Sequence, residues 1–289
     1  MWSMVYHFPG MWTKENRPLY DRSHLRYESD LTDAEWALVA PLIPPAKHGG
    51  AHRTVDVREV LNGLLYILST SCQWRAIPKD LPPHSTLHDY LDRWDGDGTL
   101  ERIHHALYVQ CREQAGREAS PTVAIIDSQS VRSAEKGGRA IDRVGYDSGK
   151  KIKGKKRHLL VDTEGLVLQV IVHAADIQDR DGGVLLLATL FGLFPFLRTL
   201  YADAGYQGPK FQNALKRVLR RVKLEIVKRS DAAKGFVVLP KRWIVERTIG
   251  WLNRCRRLAK DWENLNWKAR AFLRLASIRL MVRRLCKAA

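Results

Sequence analysis

At Pro121 the period of the hydrophobic pattern changes, and that change constrains the fold more than any other feature of the sequence. Ahead of it, from about residue 30, apolar residues recur at helical spacing. Val57, Val60, Leu61, Leu64, Leu65 and Leu68 fall at i, i+3, i+4, i+7, i+8 and i+11, one face of an amphipathic helix. Thr32 and Glu35 make the S/T-x-x-E pattern of a capping box before an apolar run that stops at Pro44-Pro45. Further helices are expected over 85–94 and 99–114. Beyond Pro121 the apolar runs shorten and become rich in β-branched residues. Residues 122–127, 158–162 and 166–173 read as strands, the last two joined by Thr-Glu-Gly. A buried helix over 182–194, a strand over 199–203 and a helix opened by Pro209 follow. A fifth strand over 224–228 and helices from Pro240 and over 266–287 complete the chain.

The order β-β-β-α-β-α-β-α predicts an α/β (mixed) fold: a five-stranded mixed sheet that starts as a hairpin, continues by crossover units and is flanked by helices. Four segments are expected: an irregular start (1–29), a small all-helical domain (30–118), the sheet-bearing domain (119–265) and a basic C-terminal helix (266–289). The short helices of the second segment suit a helix-turn-helix module and equally any small helical bundle.

Charge points to a partner. The net charge is +17, and two blocks carry more than all of it: ten Lys or Arg against three acids in 132–157, and fourteen against three in 241–289. A surplus kept for solubility would be spread along the chain, whereas concentrated positive charge is the footprint of a polyanion. No run of 18 apolar residues is present and the first residues lack the pattern of an export signal, so neither a membrane span nor secretion is expected. Four widely spaced cysteines, with no C-x-x-C pair, fit reduced thiols in a cytoplasm rather than a zinc site or a disulfide framework.

Two aspartates draw attention because each ends an apolar strand: Asp127 and Asp203. Each alone is as readily a loop cap. If their strands are neighbours, however, the two carboxylates lie close enough to share a cation, at the strand ends where α/β sheets gather their sites. Glu246, one helical turn beyond Arg242, is the third candidate, and a plain surface ion pair is its alternative reading. Three oxygen donors with no Cys or His cluster suit Mg2+ or Mn2+. Other tempting groups have plainer roles: His173 as a satisfied strand-end residue, Asp179 and Asp181 as helix caps, Trp243, Trp251, Trp262 and Trp267 as packing residues.

Five strings carry a resemblance: IIDSQSV around Asp127, KGKKRHLLVDTEG at 153–165, QDRDG at 178–182, YADAGYQG around Asp203 and RWIVERTIGWLNRCRRLAKDWE at 242–263. With them, from about Asp30 to Glu263, the chain resembles a DDE transposase of the insertion sequence four and five superfamily. The resemblance implies an RNase H-like catalytic domain whose acidic triad, and metal ligand set, is Asp127, Asp203 and Glu246. In the Y-x2-R-x3-E-x6-K signature of that superfamily Arg242 and Glu246 fit, while Leu239 and Asn253 stand where Tyr and Lys are expected.

The implied activity is cut-and-paste DNA transposition with two bound Mg2+ or Mn2+ ions: hydrolysis at the element ends, then attack of the freed 3′-OH on target DNA. The expected partners are double-stranded DNA, both terminal inverted repeats and target, and a second copy of the chain to hold two ends, near the nucleoid of a bacterial cell. Lys150, Lys151, Lys153, Lys155, Lys156, Arg157, Arg242, Arg254, Arg256 and Arg257 are the candidate phosphate contacts, with Arg270, Arg274, Arg279, Arg283 and Arg284 as a track along the last helix. A catalytically silent DNA-binding regulator of the same descent and a nuclease of RNA–DNA hybrids are the competing readings.

Overall fold

Two ten-residue strands form the spine of the sheet: β1 (Val123–Arg132) and, antiparallel to it, β3 (Ile152–Val161), with Ile125 opposite Val161 and Arg132 opposite Gly154. The computed structural model describes residues 17–46, 49, 53–135, 141–227 and 241–287. The start of the chain up to residue 16, Lys228 as a strand end and Pro240 as a helix start lie outside the described residues.

Both spine strands outrun the apolar stretches that announced them. β1 continues through Asp127 to Arg132, and β3 begins inside the basic run rather than after it. The outer edge of β3 pairs with β4 (Val167–Ala174) along 155–161 and with the short β2 (Gly145–Asp147) along 152–154. Among the described residues the sheet therefore has six strands, not the five expected; β2 has no apolar run to betray it. On the other side of β1, β5 (Thr199–Ala202) and β6 (Lys223–Ile226) join in parallel. The antiparallel start and parallel finish follow the predicted order.

β1 and β3 are tightly packed at Gly154. A Cβ there would collide with the carbonyl oxygen of Val131, so only glycine lets the two backbones approach this closely.

Helices cover both faces. α1 (Asp33–Val39) starts with the capping box: Thr32 Oγ1 accepts from Glu35 N at 3.2 Å, and Glu35 Oε2 accepts from Thr32 N at 3.0 Å. It is followed by α2 (Val57–Thr70), α3 (His84–Gly96) and α4 (Thr99–Gln114). These pack on one face with α7 (Arg242–Leu252) and α8 (Asn266–Lys287), while α5 (Asp179–Ala188) and α6 (Pro209–Val218) cover the other. Strand alternation feeds the two cores: Ile125, Leu159 and Val161 go to the larger, Ala124, Ile126 and Leu160 to the smaller. The result is three layers, helix on sheet on helix. Among the described residues no helix is long and apolar enough to cross a membrane.

The segments read from sequence are not separate cores. The helices before Pro121, one face of the sheet and α8 share a single hydrophobic cluster. Phe272, Leu275, Ala276, Met281 and Val282 of α8 are buried in it, so this helix is a central member of the bundle rather than a basic arm. Its cations are correspondingly engaged. Arg270 and Arg274 reach Asp95 at 2.9 and 3.4 Å, Arg284 reaches Glu164 at 2.9 Å, Arg283 donates to Glu28 O and Arg279 to Cys255 Sγ. The expected phosphate track along α8 gives way to these contacts. Positive charge in its sequence reflects what the helix binds inside the protein.

The β3–β4 hairpin is clasped to the bundle by one acid. Asp162, fully buried, accepts from the backbone N–H groups of Glu164 and Leu166 at 2.9 Å each, shaping the turn in which Gly165 takes a φ of 81°. Its other oxygen accepts from Arg112 Nη1 at 2.6 Å and from Tyr108 Oη at 3.3 Å, both on α4.

Candidate active site

Parallel pairing sets the two strand aspartates side by side. β1 and β5 align Val123 with Thr199, Ala124 with Leu200 and Ile125 with Tyr201, and two steps further along this register Asp127 is level with Asp203. Adjacent strands run about 4.8 Å apart, so the two carboxylates share one stretch of sheet. Asp127 lies within its strand rather than at its end. Asp203 follows directly on β5 and caps a 3-10 turn (Ala204–Tyr206), accepting from Gly205 N at 2.8 Å. Alternation sends both to the face of Ile125 and Tyr201, which is the face under α7.

α7 delivers Arg242 and Glu246 from one side of its first turns. Arg242 Nη2 lies 3.1 Å from Glu246 Oε1 and 4.0 Å from Asp203 Oδ2. The Arg242–Glu246 pair suggested by spacing is present, but it is half of a bridge between the acid of α7 and the acid after β5. Asp127 feels the same cluster. Burial above all, with the Asp203 carboxylate beside it, pushes its pKa up to about 6, against a hydrogen bond from Ser128 N and the opposing charges of Arg242 and Lys150. Lys150 stands in the turn between β2 and β3, where its Nζ reaches Ser128 O at 3.4 Å.

The donor set fits a hard divalent cation: three carboxylates, two of them crowding each other where a cation relieves the repulsion. Among the described residues, however, no three His, Cys, Asp or Glu side chains are gathered closely enough to hold a metal as they stand. The cation between Asp203 and Glu246 is Arg242.

Behind β1, on the α5 face, lies a network that sequence reasoning missed. Lys156 Nζ binds Asp179 Oδ1 at 2.9 Å, Ile177 O at 2.9 Å and Asp147 Oδ2 at 3.4 Å. Ser128 Oγ donates to Asp179 at 2.9 Å and Ser130 Oγ to Asp147 at 2.6 Å. Asp179 is therefore not a helix cap: its carboxylate, held below the usual range against its own burial chiefly by Lys156, braces the strand that carries Asp127. Asp181 pairs with Lys210 at 2.8 Å. The available signal was the alternation within KGKKRH, which a strand turns to opposite faces.

That alternation corrects the list of phosphate contacts. Lys155 is fully buried and donates to Asp142 O and Arg143 O at 2.9 and 2.8 Å. Arg157, 1% exposed, donates to Leu258 O at 2.7 Å, and burial lowers its pKa to about 10, which leaves it charged at neutral pH. Arg257 is buried against Glu263 at 2.8 Å and Cys72 O at 3.0 Å. With Lys156, these four cations are structural. Lys150, Lys151, Lys153, Arg254 and Arg256 are exposed.

His173 is only half satisfied: its Nδ1 meets Ala174 O at 2.8 Å and its ring packs on His158 with centroids 4.9 Å apart, while its Nε2 is buried with no hydrogen-bond partner. Asp176, three residues further along, pairs with Arg143. Trp243 and Trp251 do not pack inward. They are more than a third exposed and sandwich the Arg247 guanidinium at 4.4 and 4.6 Å on the surface of α7.

A mixed sheet with helices on both faces and two aspartates level on neighbouring strands is consistent with one class, an RNase H-like domain. Comparison with known proteins is more specific. Residues 118–281 match the family described as "Transposase DDE domain", more than half of the chain, and residues 31–104 match "Putative transposase of IS4/5 family". The chain belongs to the DDE transposases of the IS4/5 type. Over 113 residues it is 30% identical to an uncharacterised 16.2 kDa protein of insertion element IS402 from Burkholderia cepacia, covering 37% of this chain and 76% of that one. Over 133 residues it is 32% identical to a putative transposase for insertion sequence element IS402 from the same organism, covering 42% of this chain and 60% of the relative. No solved structure matches.

Proposed function

We propose that this protein is the transposase of an insertion sequence, hydrolysing phosphodiesters at the element ends and joining the freed 3′-OH to target DNA. The observation that carries the reading is the β1–β5 register, which brings Asp127 level with Asp203 under the helix that holds Glu246. The family match supports it. Asp127, Asp203 and Glu246 would hold divalent metal, Mg2+ or Mn2+ and two ions in this reading; when bound, the ions supply charge stabilisation for the attacking and leaving oxygens of an in-line displacement. The chain's own part is positional. Asp127 is fixed from behind by Ser128 and Asp179, and Lys150 and Arg242 stand beside the acids to receive non-bridging phosphate oxygens. Water attacks first at the element end; the 3′-OH it releases then attacks the target strand, so one site serves both displacements without a covalent protein–DNA link. Two DNA ends call for two copies of the chain, held together on the element's inverted repeats.

The direct test is strand cleavage of DNA bearing the element's own ends. Cleavage is expected with added Mg2+, lost with excess chelator and lost in Glu246→Gln; persistence of cleavage in the chelator or in the variant would reject the site.

Exposed and buried cations should separate in a second experiment. Lys153→Ala is expected to lower the slope of log affinity against log salt by about 0.9, one phosphate contact, without changing the melting temperature. Lys156→Met strands Asp179 and Asp147 without their cation and is expected to destabilise the fold by about 3 kcal/mol or more. DNA-binding isotherms over a salt series, with thermal melts of the same proteins, read both; equal melting temperatures for the two variants would contradict the assignment.

A further inference from the structure

We propose that Arg242 is a resident counter-cation of the acidic site: its guanidinium holds Asp203 and Glu246 together in the metal-free protein and gives up its place when a divalent ion binds. The inference rests on the reading of those acids as metal ligands, and adds how the site is kept before loading.

The contacts of Arg242 are those of a placeholder rather than a scaffold. A single nitrogen, Nη2, serves both acids, at 3.1 and 4.0 Å, and the Nε of the same side chain is buried with no hydrogen-bond partner. Two arginines that hold this fold together use more of the fork: on Arg257, Nε and Nη2 bind Glu263 while Nη1 binds Cys72 O, and on Arg157, whose Nε is likewise unpartnered, both Nη atoms bind backbone carbonyls, of Leu258 and Lys260. The guanidinium fork is thus only partly engaged where a planar bidentate match would secure it.

The surroundings leave room for exchange. The Arg242 side chain is 22% exposed and that of Glu246 50%, so both can turn toward solvent without opening the core. Arg242 is the first residue of α7, and no side chain caps that end. The residue before it, Lys241, has a φ of 70°, in the left-handed region that non-glycine residues adopt at a cost. The arginine therefore sits where the helix is least anchored.

Electrostatics sets the direction. A divalent ion carries twice the charge of a guanidinium and approaches carboxylate oxygens at about 2.1 Å rather than at hydrogen-bond distance. It outcompetes the arginine for the same oxygens, and the displaced guanidinium is then free for the phosphate role given to it above. Until then the single positive charge limits repulsion between acids that must stay close. Arginine and metal bind the same groups and are linked negatively: removing one strengthens the other.

The test is titration of the full-length protein, without DNA, with Mn2+ followed by its electron paramagnetic resonance signal. Arg242→Gln is expected to bind Mn2+ about tenfold more tightly than the parent, within the usual range of coupling between competing sites. Arg242→Lys, which keeps the charge but loses the fork, is expected to fall between them and carries the test if the glutamine variant does not fold. Equal or weaker Mn2+ binding in the folded variant overturns the exchange. Asp127→Asn, run alongside, tells the two failures apart. If it abolishes binding while Arg242→Gln does not improve it, only the exchange is wrong. If the parent does not bind Mn2+, or binds it regardless of Asp127, the ligand assignment falls and the exchange with it.

Discussion

Replacing Asp127 with Asn is expected to abolish strand cleavage while making the metal-free protein more stable. The two effects have one origin. The carboxylate is half-buried next to Asp203, and its pKa of about 6 states that the fold pays to keep it charged. Below the unfolded value of 3.8 the group is protonated in both states and costs nothing. As pH rises toward 6 the unfolded chain ionises first, so stability is lost through that window and does not return above it. Raising the pKa from 3.8 to about 6 corresponds to roughly 3 kcal/mol. Asn cannot ionise and escapes the loss. In chelator at pH 7.5 the variant is expected to melt several degrees above the parent, and at pH 4 the two should converge. Cleavage moves the other way: if Asp127 is the metal ligand proposed above, losing it is expected to cost on the order of a thousandfold or more. Melting curves at the two pH values, with a cleavage assay on the same preparations, check both halves. A variant that is less stable at pH 7.5, or that still cuts, contradicts the account.

Asp162→Ala is expected to have the largest effect on stability, although the residue takes no part in the chemistry. Asp162 lies at zero exposure and closes a buried pair with Arg112, which is 6% exposed. Truncating it leaves a guanidinium in the core without its carboxylate and removes the acceptor that shapes the β3–β4 turn. Breaking a buried pair from one side costs about 3–5 kcal/mol, and the two lost turn hydrogen bonds add to that. In a chain of this size the melting temperature is expected to fall by roughly 10 °C. Truncating both partners, Asp162→Ala with Arg112→Met, should recover part of the loss, because no lone charge then remains buried. Chemical denaturation of the two variants measures the difference; a single variant as stable as the parent would show that the clasp is idle.

Much of this fold was legible because it depends on local periodicity. The capping box of Thr32 and Glu35, the apolar face of α2, Pro209 at the start of α6 and the bounds of α8 all follow from spacings of three or four residues. The strands were found wherever they carried apolar runs. They were misjudged where polar residues continue them: the tail of β1 beyond Asp127, the basic half of β3 and the whole of β2. A lysine inside a strand looks like a loop residue until the acceptor that buries it is known. For Lys156 those acceptors come from three separate segments, Asp147, Ile177 and Asp179.

The sequence by itself determined the layered α/β architecture and the family, and it supplied the three acids of the proposed site, because periodicity and short motifs reside in adjacent residues. Tertiary structure decided the rest. It showed which positive charges face solvent and which are consumed within the fold, made α8 a core helix instead of a DNA track, and set Arg242 between two of the acids. The physical reason is that burial and charge pairing belong to the neighbours of a residue in space. Asp203 and Glu246 lie far apart along the chain, and a strand register and a helix position bring them to one guanidinium.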